Sequence, residues 1–141
     1  MQVNQDFNTG AYTVRSYGTG HVVVIVPADK RGPATTPDEA PPMTQTFQRS
    51  IIITPSRLID AWPPQTPDEL RGEHFDDFAA LQPALVLIGT GAKLIFPNPA
   101  YTAPLLRRGI GVEVMNTAAA CRTYNFLVSD GRDVAVALMM I

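Results

Sequence analysis

The 141-residue sequence predicts an α/β fold with a mixed, mostly parallel sheet, helices packed on it, and an N-terminal antiparallel hairpin. Three observations predict it. Strand-like and helix-like segments alternate from residue 84 onward, the pattern of a parallel sheet with crossover helices. Ala84–Ile88 (ALVLI) is continuously apolar, as a strand covered on both faces requires. All 13 prolines fall between Pro27 and Pro104, so the last 37 positions are free to form regular structure.

The elements follow in order. Tyr12–Tyr17 and His21–Val26, β-branched from Val22 on, flank Gly18-Thr19-Gly20, which reads as a hairpin. Pro27–Pro42 has five prolines and no apolar periodicity, so it reads as a long surface loop. A third strand centres on Arg49–Thr54 and stops at Pro55. Leu58, Ile59 and Trp62 after Ser56 suggest a helical turn closed by Pro63-Pro64. Thr66-Pro67-Asp68-Glu69 matches a capping box with proline at the first helical position. Leu70, Phe75, Phe78 and Leu81 then line one side of a helix ending at Gln82, with Gly72 weakening its middle.

Beyond the strand at Ala84–Ile88, Gly89-Thr90-Gly91 turns the chain and Lys93–Phe96 reads as a short extended piece. Asn98-Pro99 opens a helix running to Arg108, with Pro104 inside it and Gly109 as its stop. Ile110–Met115 is a short strand, and Asn116 caps the clearest helix, Thr117–Asp130, which Gly131 ends. Val134–Met140 is the last strand. A single domain spanning 1–141 is expected, since this length builds one core.

Composition narrows function by exclusion. Hydrophobic residues at 45% and charged residues at 17% exclude an intrinsically disordered chain. A net charge of −2 argues against nucleic acid as a partner. The apolar runs, Val22–Val26 among them, fall far short of the roughly 20 residues of a membrane span. One cysteine makes no internal disulfide, and MQVNQDFNTG has no basic-then-apolar pattern, so a cytoplasmic location is expected.

No catalytic set assembles from the residues. Cys121 lacks a nearby base, because His21 falls on the hairpin and His74 on an acidic segment. Asp76 and Asp77 are adjacent on a helix and diverge by about 100°, and no cluster has metal-ligand spacing. No cofactor is expected. Gly89-Thr90-Gly91 has Leu94 where a dinucleotide fingerprint needs its third glycine, and no Walker lysine follows. The motif is either a tight turn at a strand end or a small anion site built on loop amides. Arg122 and Asn125, three apart on a helix, could hold a carboxylate or phosphate, or simply belong to a solvated face. Tyr124 and Arg132 lie close to them in sequence. Gly89, Thr90, Gly91, Arg122, Tyr124, Asn125 and Arg132 therefore form the candidate ligand or partner patch.

Val86–Gly91 (VLIGTG) and Gly109–Leu138, above all Thr123-Tyr124-Asn125 and Gly131-Arg132, carry a family resemblance. The chain resembles small domains related to mitochondrial NADH:ubiquinone oxidoreductase (complex I) assembly factor 3 and their uncharacterised bacterial and archaeal relatives, over roughly Tyr12 to Leu138. The resemblance implies a three-layer α/β domain with a central mixed sheet, and an accessory protein acting by binding a protein partner. It supplies no catalytic residue and no cofactor. The other reading of the residues is a small-molecule or anion-binding domain, conceivably an enzyme, at the Gly-Thr-Gly turn and the Arg122/Asn125 helix.

Overall fold

The computed structural model describes residues 10–30 and 44–141. A three-stranded antiparallel sheet holds β1 (Thr13–Gly18), β2 (His21–Ile25) and β3 (Thr44–Phe47) in that order. A five-stranded sheet holds β4 (Ile51–Ile53), β5 (Leu58–Ile59), β6 (Leu85–Thr90), β7 (Gly111–Met115) and β8 (Val134–Met139). Its spatial order is β5-β4-β8-β6-β7. Among the described residues three α-helices complete the fold: α1 (Asp76–Leu81), α2 (Pro99–Arg107) and α3 (Thr117–Ser129).

The larger sheet is mixed, as expected, but its parallel part is confined to β8-β6-β7. The pairs β4–β5 and β4–β8 are antiparallel. The sequence of the central strands explains why both faces are covered. Alternate residues of β8, Val134, Val136 and Leu138, face a core shared with α3 and the three-stranded sheet. Ala135, Ala137 and Met139 face a second core containing Trp62, Phe75, Phe78 and Leu105. Every residue of β8 is fully buried, which is why it reads as an uninterrupted apolar run.

Several expectations are corrected. The expected third strand is two strands in different sheets: Thr44–Phe47 extends the hairpin along β2, whereas Ile51–Ile53 pairs with β8. The expected helical turn at Leu58, Ile59 and Trp62 is instead strand β5, folded back on β4. The Thr54 hydroxyl accepts from Arg57 N–H and closes that reversal, and Ala61 takes φ 68°, turning Trp62 inward. The helix expected from Thr66 to Gln82 is broken into 3₁₀ turns at Pro67–Glu69 and Gly72–Phe75 before α1 begins. Thr66 donates to Asp68 instead of accepting from a backbone N–H, and Glu69 accepts from Gln65 N–H, so the reciprocal cap slips by one residue. Leu70, Phe75 and Phe78 nonetheless reach the core, and Trp62 packs edge-on against both phenylalanines. Lys93–Phe96 forms no strand. Of the loop expected over Pro27–Pro42, Ala28–Lys30 makes a 3₁₀ turn and residues 31–42 lie outside the described residues.

Candidate functional site

The Gly-Thr-Gly motif sits where β6 ends. Gly89 and Thr90 belong to the strand, so the turn proper begins at Gly91, with φ +92°. Gly89 is required by packing. A Cβ there would come within 3.0 Å of Thr117 Cα and 3.1 Å of the Ala120 methyl, so only glycine lets α3 lie this close to β6. Gly91 and Thr117 are joined twice: Gly91 N–H donates to Thr117 Oγ1 (2.8 Å) and Thr117 N–H donates to Gly91 O (2.9 Å). The Thr117 hydroxyl donates onward to Met139 O (2.6 Å), tying the ends of β6, α3 and β8 together. At the start of α3, Ala119 N–H is already taken by its cap, Asn116 Oδ1 (2.8 Å). The amides that would receive an anion at this rim thus include three, those of Gly91, Thr117 and Ala119, already engaged by the protein's own oxygens.

The remaining patch residues are not gathered around that turn. Arg122, Tyr124 and Asn125 belong to a different junction, between α3 and β1. Asn125 places its carboxamide against the backbone of Val14, accepting from Val14 N–H (2.9 Å) and donating to Val14 O (2.6 Å). Tyr124 is fully buried and its hydroxyl donates to Tyr12 O (2.8 Å). Burial pushes its phenol well above the ordinary tyrosine range. Arg122 is exposed and its Nη1 donates to the Tyr17 hydroxyl (2.6 Å). The expectation that Arg122 and Asn125 cradle one anion beside Gly89–Gly91 meets this geometry: Asn125 is spent on Val14. Arg132 follows the C-terminal end of α3, about 20 Å from its start at the rise of a 13-residue helix, so it does not join the Gly-Thr-Gly end.

Cys121 is buried beneath α3. Desolvation, opposed more weakly by the Arg122 guanidinium, pushes its thiol up to about 12, the opposite of an activated nucleophile. His74 Nδ1 accepts from Arg71 N–H (2.9 Å) and its ring meets the edge of Trp62. Among the described residues no three His, Cys, Asp or Glu side chains converge as metal ligands.

What the structure adds is a surface the sequence reading passed over. Leu94, Ile95 and Phe96 are 48%, 47% and 73% exposed, three large apolar side chains in a row. They are held in place by Thr90. Its hydroxyl donates to Lys93 O (2.5 Å), accepts from Ile95 N–H (3.1 Å), and lies 3.3 Å from Met115 O at the end of β7. The sequence carried no signal for it: the five residues between Gly91 and Pro97 are as long as several strands of this fold, and their apolar character reads as extended.

The family model described as a protein of unknown function (DUF498/DUF598) matches residues 37–139. The chain belongs to this family. Mouse "NADH dehydrogenase [ubiquinone] 1 alpha subcomplex assembly factor 3" is 33% identical over 90 residues, covering 62% of this chain and 48% of the mouse protein. The chain therefore spans about half the length of that relative. A Xanthomonas campestris protein solved by NMR is 37% identical with a TM-score of 0.71, over 99% of this chain and 92% of its own. A Bordetella parapertussis protein solved by crystallography is 33% identical with a TM-score of 0.73, over 93% and 97%. A Bartonella henselae structure, named as that of an outer membrane protein, is 26% identical with a TM-score of 0.67, over 94% and 98%. The family likeness stated from the motifs is thereby shown, and the mixed α/β architecture is shared by solved relatives. Among the described residues no helix is long and apolar enough to cross a membrane.

Proposed function

We propose that this chain is a non-catalytic accessory protein that assists the assembly of a larger complex by holding a protein partner. The relative named as an assembly factor supports the role, and one observation carries the mode of action: the Leu94-Ile95-Phe96 loop. Apolar side chains on a mobile loop would fold back or lose order, but Thr90 fixes this loop through two hydrogen bonds. A pre-ordered apolar projection binds at lower entropic cost than a flexible one. Gly89, Thr90 and Gly91 thus serve the partner surface by building its base, while Tyr124 and Asn125 act as structural clamps on β1 and Arg122 bonds the exposed Tyr17 hydroxyl. The proposal keeps the cytoplasmic location expected from composition. The name of the Bartonella relative points to a membrane instead, and fractionation of the producing cells decides between them.

Native mass spectrometry of the protein purified from its own cells tests the reading. A retained protein partner is expected, lost when Ile95 and Phe96 are both changed to serine. Retention of a small molecule and no protein would overturn it. Because both side chains are exposed, the double change should leave the fold intact, each shifting stability by no more than about 0.5 kcal/mol.

A further inference from the structure

The strand next to that loop, β7, is the outer strand of the five-stranded sheet and, among the described residues, pairs with β6 alone. Gly111 N–H donates to Ala84 O on the β6 side (3.0 Å). Alternation along the strand then turns the N–H and C=O groups of Val112 and Val114 outward. Among the described residues nothing bonds to them, so this edge is a ready template for another strand.

Charge says what kind of strand it takes. Glu113 is exposed midway between Val112 and Val114. The exposed Arg107 and Arg108 precede the turn into β7, and exposed Lys93 lies in the loop tied to the strand's far end. The edge therefore runs basic, acidic, basic. A second copy, paired antiparallel through Val112 and Val114, would set Glu113 against its own counterpart. That would be a closely spaced pair, with Cα atoms about 4.5 Å apart, and basic ends would meet basic ends. The arrangement disfavours self-pairing and favours the opposite charge order.

We infer that the β7 edge docks an extended segment of a partner protein, antiparallel, with a basic residue opposite Glu113 and acidic residues toward its ends. An apolar residue at the segment's N-terminal end meets Leu94–Phe96. This rests on the partner-binding reading above and names the partner's chemistry. Backbone hydrogen bonds supply the attachment and the alternate side chains supply the selection.

The test titrates the ¹⁵N-labelled full chain with a blocked peptide, Phe-Asp-Thr-Val-Lys-Val-Thr-Asp, and with its central Lys→Glu counterpart. The lysine peptide should shift the amide signals of Val112 and Val114 and bind about three- to tenfold tighter than the glutamate one. Glu113→Lys should reverse that order. Shifts absent from β7 at millimolar peptide, or the same affinity for both peptides, would overturn the inference. So would concentration-dependent self-association through β7. If the cell-purified partner is retained regardless of Glu113→Lys but lost on changing Ile95 and Phe96, the strand-docking inference fails while the partner reading stands. If no partner is retained at all, the partner reading fails first.

Discussion

At the β1 edge, Asn125 supplies a carboxamide to the outward N–H and C=O of Val14. At the β7 edge, Val112 and Val114 present theirs to no described residue. The two edges belong to one molecule and answer the same problem, unpaired backbone at the side of a sheet, in opposite ways. At β1 the helix α3 acts as a substitute strand: Asn125 holds Val14, Tyr124 holds Tyr12 and Arg122 holds Tyr17. The hairpin sheet is thereby locked to the central sheet. At β7 no described side chain bonds to the outward backbone, and Glu113 stands in solvent. A closed edge serves stability; under the docking inference, an open edge kept from self-pairing by its charges serves recognition.

The largest expected effect comes from removing the anchor of the closed edge. Tyr124→Ala should destabilise the fold by about 3–5 kcal/mol, read by thermal or denaturant unfolding. Tyr124→Phe keeps the packing and loses only the bond to Tyr12, so about 1 kcal/mol is expected. Equal losses for both variants would show that the hydroxyl, not the ring, is the anchor. Asn125→Ala strips Val14 of both partners and should cost about 1–3 kcal/mol. A neutral result would mean that the β1 edge needs no cover.

Cys121 gives a pH dependence at the same junction. Its folded-state thiol is pushed up to about 12, above its unfolded value, so the native state holds the proton longer. Its contribution is fully present below the ordinary thiol range of about 8.5 and is lost as pH rises from there toward 12. Cys121→Ala should flatten that alkaline decline, measured as unfolding midpoint against pH. Smallest of all, Arg122→Ala should change stability by about 0.5 kcal/mol or less, because its bond to Tyr17 is exposed. A large loss would make Arg122 a third clamp of the closed edge.

Much of the closed region was legible in the sequence because local rules agree there. Asn116 caps α3 by accepting from Ala119 N–H, Gly131 stops it at φ +74°, and Ala120 and Tyr124 fall on its buried face. What α3 does with Asn125 was not legible. A carboxamide facing a backbone 111 residues away looks the same in sequence as one facing a ligand. The strand β3 carries a solvent-facing Gln45 and Thr46, so its alternation offers only Phe47 as an apolar mark. The strand β5 is two residues long and shares the spacing of a helical turn with Trp62, a tie broken only by the fold-back at Thr54. The segment Lys93–Phe96 reads as extended in sequence, while its position is set by a threonine side chain that no pattern rule weighs.

The contrast between the edges is tested most directly by residue-resolved amide hydrogen exchange on the intact chain. Val14 N–H should be protected, with its protection falling in Asn125→Ala, while Val112 and Val114 exchange as readily as exposed loop amides. Protection of Val112 and Val114 matching that of Val14 would contradict the account, because the β7 edge would then already be closed.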